Sequence, residues 1–364
     1  MYWLKRVAVF LLLVAGFLIF FVGWHLQSNA PVTTTEVYRD DEEKQAERAA
    51  KNFIGVITET MQGHASRGAH AKGHACVQAW FTVNENLESA LRHGVFANPG
   101  KAYKSWIRFS NGSSNLAKSD DRRKDSRGMA IKLLHVTPPE IDTKYLPQDF
   151  LMHNSPVFFS ANVEDYNRLV ESENKVLSFL DNPNPFKWRL RELQHVFDTL
   201  AEPPGSPLSD RYFSNTAYKL GPHNIKFSTQ PCSNHSHLQA THERGPDFLA
   251  ETMKEELRSG NGCFDFLVQL QDAEKYMPIE DPSIEWKVSD SSWRKMARIN
   301  IPSQEFDTES RKQFCENLSF NPWNSLEAHR PIGQLNRIRK KVYEASSRFR
   351  HSTNNTEVPA NLDW

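Results

Sequence analysis

The chain has 364 residues, enough for one large domain or two modest ones. It carries 44 basic and 44 acidic residues, so its formal net charge is zero, which argues against nucleic-acid binding because that function needs a basic patch or stripe. The cysteines lack C-x-x-C spacing, which argues against a zinc ribbon or a thioredoxin-type motif; they are Cys76, Cys232, Cys263 and Cys315.

The N-terminus differs from the rest of the chain. Lys5 and Arg6 precede an apolar run over residues 7–24, which is near the shortest length that spans a bilayer. The basic residues favour a cytoplasmic N-terminus. We therefore predict a transmembrane helix within residues 1–27 that anchors a periplasmic or otherwise extracytoplasmic globular domain. The alternative is a signal peptide, with the domain secreted after cleavage.

The remaining chain divides into a linker and first helix, a globular domain and a polar tail, at residues 28–52, 53–351 and 352–364. Strands are expected at residues 77–83, 106–110, 129–133, 157–159, 264–270 and 297–301, and around Phe227. Helices are expected at residues 51–62, 163–180, 186–201, 246–259 and 331–351. Strands in irregular order with a helix at the end indicate an α+β domain built on an antiparallel sheet or barrel.

The last predicted helix carries two side chains with possible chemical roles. Arg339 and Tyr343 are four residues apart, so they are neighbours on one helix face. A guanidinium beside a phenol favours the phenolate, which is the form that binds ferric iron. Considered alone, the pair also suits an ordinary amphipathic helix with a solvated flank.

Four segments, taken together and in this order, resemble the haem site of the haem catalases, specifically their short catalase-like, catalase-related peroxidase branch. They are Arg67-Gly68-Ala69-His70-Ala71-Lys72-Gly73, Ile107-Arg108-Phe109-Ser110, Asn154-Ser155-Pro156-Val157-Phe158-Phe159, and the final helix from Arg339 to Arg350. The resemblance extends over residues 55–351. It implies an α+β fold with a catalase-like eight-stranded antiparallel β-barrel and surrounding helices, here preceded by the N-terminal transmembrane helix.

The resemblance also implies a cofactor, haem b, and a role for each matching residue. Tyr343 would be the iron ligand, supported by Arg339. His70 would be the distal acid/base, since one imidazole can both take and return a proton. Asn154 would hydrogen-bond the peroxide and Ser110 would orient the His70 ring. The haem propionates would be bound by arginines, namely Arg67, Arg108 and Arg350.

The predicted function is that of a haem peroxidase or weak catalase acting on hydrogen peroxide or organic hydroperoxides, with an electron donor that the sequence does not reveal. The alternatives are a fatty-acid hydroperoxide isomerase and a non-catalytic haem-binding or sensing protein. A metal site at His64, His70, His74 and Cys76 is a competing interpretation of the histidines, although the spacing fits no familiar zinc pattern. Cys232 and Cys263 could pair outside the cytoplasm, whereas Cys76 is predicted to be a buried free thiol. The oligomeric state stays open.

Overall fold

The structure is a computed structural model that describes residues 2–26, 32–136, 147–200, 202–232 and 244–364. Its strands are β1 (Gly73–Val83), β2 (Ala102–Asn111), β3 (Arg127–Leu133), β4 (Gln148–His153), β5 (Tyr212–Phe213), β6 (Tyr218–Leu220), β7 (His223–Pro231), β8 (Gly262–Leu270) and β9 (Arg294–Ile301). Its α-helices are α1 (Tyr2–Leu26), α2 (Glu42–Thr60), α3 (Val163–Glu171), α4 (Leu190–Thr199), α5 (Phe248–Ser259), α6 (Glu309–Asn317) and α7 (Gln334–Asn354).

The sheet closes into an antiparallel barrel. The strand order is β5-β4-β3-β2-β1-β9-β8-β7-β6, and an additional pairing of β5 with β7 joins the two ends. Eight strands therefore form the closed barrel, and β6 extends it as a hairpin partner of β7. Closure removes the exposed edges that an open sheet would present. The predicted eight-stranded barrel is confirmed.

Side chains alternate along the strands between the apolar interior of the barrel and its outward face. Ile107 and Phe109 of β2 are completely buried in the core that fills the barrel, together with Ile131 of β3. Arg108 and Ser110, between and beside them, must point the other way because side chains alternate across a strand. The site described below lies on this outward face.

Helices α2 and α7 pack against one another over the barrel wall, together with α3. Small side chains on α2, Ala46 and Ala49, meet Ile338 and Val342 of α7, and Val163 begins α3 at the same contact. Alanine lets two helices approach closely. The three helices enclose the space next to strands β2, β3 and β4.

Several predicted boundaries differ from the observed ones. The segment at residues 157–159 is not a strand, whereas β4, immediately before it, was not predicted. Helix α3 ends at Glu171 rather than at residue 180, because Ser172 takes an extended conformation with ψ of 134°. Helix α6 was also missed. Its apolar residues are few, so it has little amphipathic signal.

The N-terminal segment forms helix α1, one side of which packs on the rest of the protein. The Phe21 ring lies 5.3 Å from Phe186 and 6.3 Å from Trp188, and Trp24 donates a hydrogen bond of 3.2 Å to the carbonyl of Phe186. Other apolar side chains of α1, such as Leu12, are exposed. Within the ranges that the structure describes, no helix qualifies as a membrane span. The predicted transmembrane helix is therefore not supported.

The cysteines form two disulfides. Cys232 pairs with Cys263, as the sequence allowed, with Cα atoms 5.5 Å apart. Cys76 of β1 pairs with Cys315 of α6, with Cα atoms 6.0 Å apart, so the prediction of a free thiol at Cys76 was wrong. The partner is 239 residues away in sequence, and only the packing of α6 on β1 brings the two together.

Candidate active site

A cavity of about 270 Å³ lies between the outward barrel face and the covering helices. Its wall is mainly apolar, but several polar groups converge on it. These polar residues are Arg67, His70, Arg108, Ser110, His153, Tyr166, Asn215, Arg339, Tyr343, Ser346 and Arg350. A largely apolar pocket with a few convergent polar groups is the usual form of a small-molecule or cofactor site.

His70 is held in one orientation by its neighbours. Its backbone has a positive φ of 55°, and its amide donates to the carbonyl of Gly112 at 3.0 Å. Its Nδ1 lies 3.2 Å from Ser110 Oγ. Gly128 faces Ser110 across the β2–β3 pair, and a Cβ at Gly128 would lie 2.5 Å from His70 Nδ1. Glycine is therefore needed where the imidazole ring covers the strand.

Burial and the positive charge of Arg108 lower the pKa of His70 to about 4. The imidazole is consequently neutral at physiological pH and keeps one nitrogen that can accept a proton. Because Nδ1 is beside a hydroxyl that can adjust its own proton, the ring can use either tautomer without losing this contact. This arrangement suits a group that takes a proton from a ligand and returns it.

Tyr343 is supported by a buried arginine on the same helix. Arg339 Nη2 donates to Tyr343 Oη at 3.2 Å, as the i, i+4 spacing predicts. Arg339 is held by further hydrogen bonds to Asn336 Oδ1 at 3.0 Å and Tyr218 Oη at 3.3 Å. Although burial opposes it, the two tyrosine hydroxyls keep the pKa of Arg339 above its ordinary value. Arg339 therefore places a permanent positive charge beside the Tyr343 hydroxyl.

Three arginines and one glutamate form a charged group at the cavity wall. Arg67 pairs with one oxygen of Glu316, and Arg350 donates to the other at 2.9 Å. Arg67 Nη2 also donates to the carbonyls of Cys315 and Leu318, at 3.0 and 2.9 Å. Arg108 donates to the carbonyl of His70 at 2.8 Å.

This group carries more positive than negative charge. Three guanidiniums and one carboxylate leave an excess of two positive charges. Burial and the proximity of Arg67 lower the pKa of Arg350 to about 10, and the same two causes lower the pKa of Arg108. Two further carboxylates would balance the charge and relieve this mutual repulsion.

The structure brings together every predicted site residue except Asn154. The Asn154 side chain accepts a hydrogen bond from the Arg127 amide at 2.8 Å and donates one to Asp210 at 3.1 Å. It does not line the cavity, so its predicted contact with a ligand is not supported. The preceding residue, His153, lines the cavity instead and was missed by the sequence reasoning. Strand alternation past the buried Phe150 and Met152 would have indicated His153, had β4 been recognised.

The competing zinc interpretation finds no support in the described part of the chain, where no cluster of histidine, cysteine and acidic side chains could hold a metal ion. His74 Nε2 is hydrogen-bonded to Asn111 Oδ1 at 2.9 Å, and Cys76 is in a disulfide. Tyr166 also lines the cavity, and burial raises its pKa to about 12.

Comparison with known proteins connects this fold and site with peroxide chemistry. The catalase family model matches residues 62–206. A catalase-related peroxidase from Mycolicibacterium paratuberculosis is 26% identical over 305 residues, which cover 78% of this chain and 88% of the relative.

Two solved catalases share the fold. A fungal catalase superposes with a TM-score of 0.62 at 15% identity, covering 92% of this chain and 72% of that one. Catalase A from Saccharomyces cerevisiae also gives 0.62, at 17% identity, covering 90% of this chain and 70% of that one.

A closed eight-stranded barrel with helices packed on its outer face is the fold that this chain shares with these catalases. The family model and the curated relative show that the chain is similar to the catalase superfamily. Members of this family bind haem, and the comparisons support a peroxide-related oxidoreductase function.

Proposed function

We propose that this protein is a haem-dependent peroxidase or weak catalase that acts on hydrogen peroxide or organic hydroperoxides. The single observation that carries the proposal is the shared cavity, which has the arginine-supported phenol of Tyr343 and the imidazole of His70 in its wall. Haem b would supply the redox chemistry of the peroxide O–O bond when bound. The electron donor that a peroxidase would need is a separate molecule.

The residues present fit this cofactor. Tyr343 supplies a phenol oxygen, held by the Arg339 guanidinium, of the kind that ligates the haem iron of catalases. Tyr343 and Arg350 are seven residues apart on α7, so they share a helix face about 10 Å apart along the axis. The two excess positive charges around Arg350 match the two haem propionates. Ser346, between them on the helix, has a small side chain that leaves room for a flat ring.

The chain's own contribution to catalysis would be proton handling in a dry site. His70 is neutral above its pKa of about 4, so it can accept the proton of an entering peroxide. Ser110 and Gly128 hold the ring so that this proton is received in one geometry. Apolar wall residues, including Phe158 and Leu318, restrict water.

The iron-ligand assignment is tested by Tyr343→Phe, which removes the phenol oxygen and keeps the ring. We expect this variant to fold and to lose most of its haem, measured as bound haem per protein and as the Soret absorption. Tyr166→Phe is the matched control, because it removes a hydroxyl from the same cavity and should keep its haem. Equal haem content and an unchanged spectrum in Tyr343→Phe would contradict the assignment.

The acid/base assignment is tested by His70→Ala in the haem-loaded protein. Loss of a general acid/base typically lowers a rate about 100- to 10,000-fold, so rapid-mixing spectra with hydrogen peroxide should show a reaction slower by that factor. Haem content should stay near wild type, because His70 is not a proposed ligand. The exposed His64→Ala provides the control. A wild-type rate in His70→Ala would show that another group moves the proton.

Products distinguish the proposed reaction from its alternatives. Oxygen release from hydrogen peroxide indicates catalase activity, and oxidation of a dye with cumene hydroperoxide indicates peroxidase activity. Conversion of a fatty-acid hydroperoxide without a donor indicates an isomerase. A haem-loaded wild type that does none of these would be a binding or sensing protein, contrary to the proposal.

We further propose that the barrel operates outside the cytoplasm. Disulfides persist in oxidising compartments, and Cys76–Cys315 and Cys232–Cys263 are both paired. Lys5 and Arg6 before an apolar segment agree with export. Cell fractionation, combined with thiol labelling before and after reduction, tests this location. Recovery of the protein in the cytoplasmic fraction with four reactive thiols would refute it.

A further inference from the structure

His153 occupies the cavity wall next to His70. Ser110, Gly128 and His153 form one row across three neighbouring strands, because Ser110 pairs with Gly128 and Gly128 pairs with His153. Residues that face each other in an antiparallel pair have Cβ atoms about 4.5–5.5 Å apart. The His70 ring covers Gly128, the middle member of the row. The two imidazoles are therefore neighbours on the same side of the cavity.

The immediate surroundings of His153 leave one of its nitrogens free. Its Nδ1 is buried and has no hydrogen-bond partner among the described residues. An unpaired buried polar atom costs free energy, so such atoms are uncommon unless they serve a ligand. Asn215, also in the cavity wall, interacts with the His153 side chain and donates to the carbonyl of Ser155, which holds this corner in place.

The pair of imidazoles formed by His70 and His153 differs from a histidine beside a side-chain amide. Burial, followed by repulsion from His70 and Arg339, lowers the pKa of His153 to about 3. Both imidazoles are neutral at physiological pH, and each can donate from one nitrogen and accept at the other. Protonation of one ring to the imidazolium disfavours protonation of the other, so the pair takes up at most one additional proton at a time.

We propose that His153 is a second distal imidazole, which hydrogen-bonds a peroxide held beside His70 and exchanges a proton with it. This inference rests on the proposed function. The proton that His70 accepts from one peroxide oxygen is passed to one nitrogen of His153 as His153 releases the proton of its other nitrogen to the second peroxide oxygen, so both rings end neutral. The number of protons on the pair and peroxide together does not change.

Cyanide binding to the haem-loaded full-length protein tests the inference independently of turnover. Cyanide enters as neutral HCN and binds as the anion, so a distal base must hold its proton. A hydrogen bond to a charged group changes affinity by about 10- to 100-fold, and we expect His153→Phe to weaken cyanide binding by that factor. Haem content and the Soret spectrum should stay at wild-type values. His64→Phe controls for the introduction of a phenyl ring.

Further variants separate the possible outcomes. If His153→Phe does not fold, His153→Leu removes both nitrogens with less bulk and should show the same loss. Wild-type cyanide affinity in a folded variant of either kind would overturn the inference. The inference would also be overturned if Asn154→Ser weakened cyanide binding and the His153 variants did not. The amide predicted from the sequence would then be the distal partner.

The proposed function can be disproved independently of the inference about His153. A haem-loaded wild type that binds cyanide but does not react with peroxide would disprove the peroxidase activity. The cyanide titrations would still decide whether His153 shares a proton with the ligand. A wild type that cannot retain haem would overturn both proposals.

Discussion

Individual side chains in this site depend on single atoms of their neighbours. The clearest example is Gly128, which has no Cβ where the His70 ring crosses β3. His153 and Asn154 show the same sensitivity to position, because neighbouring residues at the end of β4 differ completely in their contacts. His153 lines the cavity, whereas Asn154 forms hydrogen bonds with the Arg127 backbone amide and the Asp210 side chain.

Gly128→Ala should damage the site without removing its chemistry. The new methyl group would lie 2.5 Å from His70 Nδ1 and 2.9 Å from Ser110 Oγ, so the ring must move. A displacement near 1 Å can cost about 100-fold in rate, and we expect a loss of that order in the peroxide reaction with near-normal haem content.

The matched control for this substitution is Gly55→Ala on α2. No atom lies within 4 Å of a Cβ at that position, and alanine in a helix is more stable than glycine by about 0.5–1 kcal/mol. Gly55→Ala should therefore keep full activity. Equal rates in the Gly128 and Gly55 variants would mean that the His70 ring does not need the space over β3.

At the scale of the elements, a buried ion pair connects the barrel to the chain that leads into α7. Lys132 of β3 is 2.7 Å from Asp149 of β4, and both side chains are almost fully buried. Asp149 also accepts hydrogen bonds from the Asn321 amide at 2.9 Å and the Asn324 side chain at 2.8 Å. The helix that carries Arg339 and Tyr343 therefore starts from a segment attached to the barrel wall.

Asp149→Asn should lower the free energy of unfolding by about 3–5 kcal/mol, because it leaves the Lys132 ammonium buried without a counter-charge. Urea unfolding followed by circular dichroism measures the change. The surface pair of Asp120 and Arg122 provides a comparison, since solvent screens this pair and Asp120→Asn should cost much less than Asp149→Asn. If the two substitutions cost the same, the buried pair does not stabilise the junction.

At the scale of the whole molecule, distant parts of the chain are joined around the barrel. The disulfide between Cys76 and Cys315 attaches α6 to β1, and the α6 carbonyls in turn receive the Arg67 side chain. The C-terminus also packs on the barrel, where the Trp364 ring lies 5.3 Å from Trp80. The predicted polar tail is thus part of the folded surface. Arg67 and Arg350, from opposite ends of the chain, therefore line one cavity.

Four histidines buried as neutral imidazoles should make the protein sensitive to mild acid. Burial lowers the pKa of each of them, to about 4 for His70, His74 and His329 and to about 3 for His153. Above pH 6.5 these groups are neutral in both folded and unfolded chains. As pH falls below 6.5, only the unfolded chain takes up their protons, so stability falls until the folded values near 4 are reached. The slope is about 1.4 kcal/mol per pH unit for each group at most.

Urea unfolding between pH 7 and pH 4.5 measures this effect, and comparison of a histidine variant with wild type separates it from Asp125, Asp149 and Asp210, whose pKa burial raises. Carboxyl groups with lowered pKa, such as Glu316, contribute only below their ordinary value of 4.5. His329→Gln can keep an acceptor for the Val95 amide, which now lies 2.9 Å from His329 Nε2, and should reduce the slope. An identical slope in His329→Gln and wild type would contradict the neutral buried state of His329.

The sequence alone determined the family resemblance, the barrel and most of the site. Arg339 and Tyr343 were predictable because helical spacing is local, and the motif around His70 was predictable because its residues are consecutive. Most of the main strands and helices followed from periodicity. The place of His153 in the cavity wall was not predicted, because the end of an unrecognised strand determines which of two adjacent side chains lines the cavity.

Only the tertiary structure decided what depends on contacts between distant segments. The pairing of Cys76 with Cys315 and the carboxylate of Glu316 among three arginines join residues far apart in the chain. The place of His153 in a row with Ser110 and Gly128 depends on strand register, which side-chain pattern alone does not specify. The periodicity of apolar side chains indicates which face of an element is buried, but it does not indicate which other element covers that face. The neighbours of each catalytic group therefore became known only when the barrel closed and the helices packed on it.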